Sequence, residues 1–427
     1  MTIVTDQFAT LARGTQQSQG ITDMSFVEIP HPLGMISREE VNAKIDAAFD
    51  SIVDAAIHWT PSSENAARQA APYPARTFKF TGTYADVNDL FARRKWSLSL
   101  PIVPPTVDRV KQMLKGTKRD PSEVLWVVPP REGMLTVELV ATLGVMAGAK
   151  PEHMPLLIAA VEAMADPLAT FRGPTTTTAA AVPVFFISGP IIEKLKLNSG
   201  TGTAGGENPV TNALGYFVNL VADVVGGSTP PNFDKSTHGT SADLVAMVFT
   251  ENNEGQVWKS YPETIGFSKK DSVVTFFGAY SGGSNIDHGA KSGQRLLTTI
   301  GGGILGMASA ASSCFADADE GDSLTNKTPF VFVVLGPEHA SLIAGDFPDR
   351  EKAKDYLREV TAMPYKFYGD GLCIPPEDFG PYDDNTLIPR YKKSKSIEFF
   401  VSGGPGKQTQ MWIPLPRSVA VSKKVME

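Results

Sequence analysis

Two segments, PVFFISGP at 183–190 and PFVFVVLGP at 329–337, are apolar at almost every position and run into Gly-Pro. A strand whose side chains are apolar at both parities has both of its faces covered. Each segment therefore predicts an interior strand, with helices needed on either side. Their mutual likeness points to two similar lobes related by duplication. VLWVVP (124–129), DLVAMVF (243–249) and SVVTFFGA (272–279) read as further strands. The stretches 134–149, 151–165, 292–308 and 349–362 read as helices. Strand, helix, strand in repetition predicts a mainly parallel sheet flanked by helices.

The clearest helix lies earlier, at 36–59. Ser37 with Glu40 forms a capping box, and Val41, Ile45, Ala48, Phe49, Ile52 and Ala56 recur at helical spacing. FVEIP before it reads as a short strand. Residues 60–76 are polar, rich in proline and without periodicity, which reads as a linker. TFKFTG (77–82) reads as a strand, and 84–94 and 107–116 as helices. A chain of 427 residues exceeds what one core usually supports. The expected division is an N-terminal segment at 1–59, the linker, a first α/β lobe at 77–235 and a second at 236–427.

Composition removes several function classes. The net charge of −7 disfavours nucleic acid and anionic membrane surfaces as partners. The uncharged stretch at 173–192 holds Pro174, Pro183, Pro190 and four consecutive threonines, so it is not a membrane span. The N-terminus has no basic region before an apolar run, and a cytoplasmic protein is expected. Two cysteines, Cys314 and Cys373, cannot build a disulfide scaffold or a zinc ribbon. No Walker loop, GxGxxG after a strand, HExxH or GxSxG occurs. Neither a nucleotide nor a strong metal site is expected, and the cofactor is left unknown.

What remains is a set of polar residues placed just after strands. Asn198, Asn208 and Asn212 follow the strand at 183–190. Glu251 to Glu254 follow that at 243–249, Ser284, Asn285, Asp287 and His288 follow that at 273–279, and Glu338 and His339 follow that at 330–335. In a parallel sheet such ends face one crevice, where ligands bind. Each of these residues also suits a helix cap or an Asx turn, and Asn198 and Asn212 taken singly fit that bland role well. Histidine suits it less. His288 is the candidate acid–base group, because imidazole titrates near neutrality. Glu338 and Glu251 are candidates to orient it or to act on substrate. Asn198, Asn212, Asn285 and His339 are candidate substrate-binding residues.

A long series of segments resembles a family of bacterial proteins described only as UGSC-type (seleno)proteins. It includes KFTGTYADVNDLFARRKW, LPIVPPTVDRVKQML, VVPPREGMLTVELVATLGVMAGAKPEHMPLLIAAVEAM and LNSG, then TENNE, SNIDHG, LGPEH, PPEDF and VSGGPGK. Residues 6–41, DQFATLARGTQQSQGITDMSFVEIPHPLGMISREEV, are similar to the C-terminal half of the small UGSC domain. The Cys-Gly-Ser-Cys-like motif that gives that domain its name is missing, and KWSLSLP at 95–101 departs from the expected pattern. The resemblance implies thiol-linked chemistry, with the thiol supplied by a partner subunit that carries the motif and docks on residues 1–59. The expected function is then a subunit of a heteromeric enzyme, an oxidoreductase or lyase. It would cleave a carbon–heteroatom bond of a small metabolite by reduction or elimination. A cofactor-free hydratase or lyase, and a non-catalytic ligand-binding scaffold for an active partner, stay open beside it.

Overall fold

The computed structural model describes residues 1–18, 24–34, 36–60, 73–307, 331–367, 381–391, 394–415 and 419–426. Cys314, Cys373 and most of the linker at 60–76 lie outside them.

The N-terminal unit opens with β1 (Thr2–Thr5), α1 (Ala9–Ser18) and β2 (Phe26–Ile29), the two strands pairing in parallel. It closes with α2 (Arg38–Ile57), where the Ser37–Glu40 capping box is formed as the sequence predicts. No residue of α2 is buried, and Phe49 and Ile57 are 57% and 68% exposed.

TFKFTG forms no strand; Phe78 and Phe80 stay exposed, and the ring of Phe78 rests on Trp96. Helices α3 (Tyr84–Arg93) and α4 (Val107–Leu114) follow, capped by Thr83 and Thr106. β3 (Val124–Val128) does not join the central sheet. It turns back through Pro129 and Pro130 onto β4 (Gly133–Thr136), so Val124 is exposed rather than covered on both faces. Thr136 then caps α5 (Val137–Met146). α6 (Met154–Ala165) and the short α7 (Arg172–Thr176) lead into the main sheet.

That sheet contains β5 (Val182–Ser188), β6 (Met247–Thr250), β7 (Val273–Ile286) and β8 (Val331–Leu335). The short helices α8 (Ile191–Lys194) and α10 (Tyr261–Thr264) and the longer α9 (Pro209–Leu220), α11 (Gly293–Met307), α12 (Pro337–Asp346) and α13 (Arg350–Val360) are interspersed. A small pair, β9 (Ala362–Pro364) and β10 (Leu387–Pro389), precedes the last sheet strands, β11 (Ile397–Val401), β12 (Gln408–Pro414) and β13 (Val421–Lys424).

The strand order is β11-β8-β12-β7-β5-β6, with β13 added beside β7. β5 and β8 are interior strands, as their apolar runs require. The sheet is mixed, however, not mainly parallel. β5–β6 and β8–β11 are parallel, while β5–β7, β8–β12, β12–β7 and β13–β7 are antiparallel. The alternation of strands and helices does not encode direction for β7 and β12, which reach their places through long connections and a Gly-rich turn. β5 and β8 each carry one parallel and one antiparallel neighbour. Strands from 77–235 and from 236–427 thus share one sheet.

The sheet curls until its outer strands meet. Glu251 and Ser402 form an antiparallel bridge, and Asn252 N–H donates to Val401 O at 2.9 Å. The enclosed face is filled by Val184, Phe186, Phe249, Phe277, Phe332, Phe400 and Trp412, as befits a small closed barrel. On the outer face Phe185, Ile187 and Phe276 pack in a cluster with α5, α6 and α9. Val331, Val333, Phe399 and Met411 pack in another with α11, α12 and α13.

Candidate functional site

The carboxyl ends of β5, β6, β8 and β11 come together. Glu251 N–H donates to Ile187 O at 2.8 Å, Ser402 N–H to Leu335 O at 2.9 Å, and Gly403 N–H to Ser199 O at 3.1 Å. The Gly-rich turn at 402–407 fits against the 198–205 loop closely; a Cβ at Gly404 would stand 2.0 Å from Thr201 Oγ1. Two groups of polar side chains result.

The first surrounds Glu251, which is 1% exposed. Its Oε1 accepts from Gln256 Nε2 at 2.7 Å. Burial pushes its carboxyl up to about 7, against the hydrogen bond from Ser188 and the attraction of Arg350. Asn198 reaches this group only through its backbone, its carbonyl accepting from Thr250 Oγ1 at 2.5 Å. Its side chain closes an Asx turn, taking Gly200 N–H and donating to Thr201 O. Asn212 donates to Gly206 O at 3.1 Å. Both asparagines thus hold the 198–208 loop in shape.

The second group lies where β7 ends. β7 runs seven residues beyond the apolar run SVVTFFGA, so Ser284 and Asn285 are within the strand rather than after it. The glycines that resemble a loop are there for close approach. A Cβ at Gly282 would fall 2.5 Å from the Trp412 ring, and one at Gly283 2.2 Å from Met307 Sδ. Next comes His288, exposed, with Nε2 accepting from the Gln408 amide at 3.1 Å. Its carbonyl takes Lys407 Nζ at 3.1 Å. His339, on the first turn of α12, is fully buried. Its Nε2–H donates to Asp287 O at 3.3 Å and its Nδ1 accepts from Thr409 Oγ1 at 2.8 Å. Desolvation holds its pKa below the ordinary imidazole value, so the ring is neutral. His339 therefore anchors the Asp287–His288 loop. Glu338 beside it is exposed.

A pocket of about 540 Å³ opens between the end of β7 and the start of α11. Its walls include Asn285, Asp287, Gly289, Arg295 and Thr299. His288 sits between two of these wall residues in the chain. Thr299 Oγ1 donates to Asp287 Oδ2 at 2.9 Å, fixing that carboxylate. Among the seven candidates, Asn285 lines the pocket, and His288 adjoins its wall in the chain. Glu251, Asn198 and Asn212 belong to the other group. Arg295 and Thr299 escaped the sequence reading, although a signal exists. Arg295 carries the sole charge between Lys291 and Asp317, and Thr299 stands four residues on, on the same helix face. Among the described residues no cluster of three His, Cys, Asp or Glu is arranged to hold a metal ion. No described helix is long and apolar enough to cross a membrane.

Residues 1–58 match the UGSC family model. The matched region is the N-terminal unit through α2, and it contains no cysteine, since the two in the chain are Cys314 and Cys373. The UGSC-type segment thus supplies a parallel strand pair and a helix with no fully buried residue, but no thiol. No curated protein matches the chain.

Proposed function

We propose that this chain is the small-molecule-binding subunit of a heteromeric enzyme that cleaves a carbon–heteroatom bond, with the β7–α11 pocket as its substrate site. The observation that carries this reading is an exposed histidine, His288, set in the chain between Asp287 and Gly289, two wall residues of a pocket of about 540 Å³, within the size range of small-molecule sites. In the reactive form the Gln408 amide turns so that its oxygen accepts Nε2–H, which leaves Nδ1 to take a proton from a substrate. Asn285 contributes an amide at the wall, and His339 keeps the loop in place from behind. Elimination suits these groups best. A proton leaves carbon, the heteroatom departs with the bonding pair, and imidazole transfers the proton with no net oxidation. A reductive version draws its electrons from the thiol of a partner that docks on the UGSC-type segment. Glu251 serves the framework, as the buried carboxyl where the barrel closes. The two-lobe description belongs to the same reading, with each lobe centred on β5 or β8.

The test is incubation of the purified chain, alone and with proteins co-purified from its host, in a metabolite extract followed by untargeted mass spectrometry. A substrate–product pair that forms with the native chain and fades with His288→Gln supports the reading. Equal conversion by the variant overturns it.

A further inference from the structure

The pocket between β7 and α11 has a charge pattern of its own. Arg295, in the first turn of α11, is exposed and has no side-chain hydrogen bond or ion pair among the described residues. An arginine in such a wall offers a planar fork of donors that matches a carboxylate. It stands at the amino end of a 15-residue helix, whose dipole also favours an anion. Asp287 faces the same space. Its Oδ2 is taken by Thr299, and Oδ1 has no partner among the described residues. Asn285, whose side-chain amide makes no hydrogen bond to another described side chain, adds a neutral donor and acceptor. A cation and an anion on one small pocket, each with bonding capacity to spare, select a ligand that carries both complements.

We infer that the pocket binds a small carboxylic acid bearing a hydrogen-bond donor on the adjacent carbon, a 2-amino or 2-hydroxy acid. Arg295 takes the carboxylate, and Asp287 takes the ammonium or hydroxyl. Such an acid also suits the proposed chemistry, because its carboxylate makes the C2–H more acidic, and loss of that proton expels a heteroatom on C3 while the group on C2 is retained. This inference rests on the reading of the pocket as the substrate site and names the substrate class.

Isothermal titration calorimetry on the full chain separates the outcomes. The probes are individual L-amino acids, the 2-hydroxy acids lactate, malate and phenyllactate, and acetate and methylamine as single-group controls. One of the two acid classes is expected to bind at least tenfold tighter than either control. Arg295→Gln is expected to weaken that binding tenfold or more, with an unchanged circular dichroism spectrum because the residue is exposed. Asp287→Asn tells the two sources apart. A tenfold loss marks an amino acid, whereas near-native binding marks a hydroxy acid, whose hydroxyl an amide oxygen still accepts. Binding no tighter than that of acetate, or binding that Arg295→Gln leaves intact, overturns the inference. Neither result depends on turnover. Binding that responds to Arg295 while His288→Gln keeps full conversion refutes the catalytic reading alone.

Discussion

Phe186 and Phe400 stack face to face, with centroids 4.1 Å apart and planes 9° from parallel, although three strands separate β5 from β11 in the sheet order. Contact across that gap is available only because the sheet curls on itself. Phe332 and Phe277 meet Phe186 edge-on at 5.1 and 5.4 Å, so the enclosed space is packed with rings.

Phe186→Ala should therefore cost about 3–5 kcal/mol, since a large cavity would be left where no neighbour can collapse inward. Urea unfolding followed by circular dichroism measures this. A loss below about 1 kcal/mol would mean that the interior is not closed.

Glu251 gives a pH signature. Its folded pKa, about 7, lies above the unfolded value of 4.5. The unfolded chain therefore releases its proton first. Stability contributed by the protonated form is complete below pH 4.5 and is lost as pH rises through 7. Glu251→Gln should remove that loss, gaining on the order of 3 kcal/mol over the native chain at pH 8. Parallel stability profiles of the two proteins between pH 5.5 and 8 would disprove the assignment.

His339 acts with the opposite sign. Its folded pKa is depressed, so the unfolded state takes up a proton first as pH falls below 6.5. The native chain should lose stability relative to His339→Gln between pH 7 and 5. Thermal melts of both at several pH values check this, and a constant difference would show that the ring is not buried neutral.

For His288, exposed and next in the chain to the wall residues Asp287 and Gly289, replacement by Gln should lower turnover ~10²–10⁴-fold with little change in melting temperature. Loss of turnover together with a large drop in stability would instead mark a structural role.

The N-terminal unit yields a prediction about association. A helix with no buried residue and exposed Phe49 and Ile57 leaves apolar surface uncovered. Removing residues 1–60 should leave the barrel folded and, on the proposed reading, abolish capture of a thiol-bearing partner. Retained capture by the truncated chain, seen by size-exclusion chromatography with light scattering, would refute docking through this segment.

Some of this was readable from residues alone. Ser37 and Glu40 announce their helix because a cap is a local event. The apolar runs at 183–190 and 329–337 announce interior strands because burial on both faces removes the polar alternation. Direction is not local, and the antiparallel placement of β7 and β12 was hidden for that reason. TFKFTG has strand composition but finds no partner to pair with. The strand extension through Ser284 and Asn285 was masked by Gly282 and Gly283, which are small to admit Trp412 and Met307 rather than to make a turn. At the candidate site, His288 and Asn285 stood out as rare or polar residues near a strand end. Arg295 did not, because its role depends on α11 lying beside β7, a fact of tertiary structure.

The bridge between Glu251 and Ser402 joins residues 151 positions apart, and β12 inserts between β7 and β8 from near the end of the chain. During synthesis the ribosome releases β5, β6 and β7 long before β11 and β12 exist. Their inward rings, Phe186, Phe249 and Phe277, must wait uncovered for the last strands to be made. Such a delay favours association with other chains over correct closure. Production of this protein should accordingly depend on chaperones and on slow translation at low temperature more than its final stability would suggest.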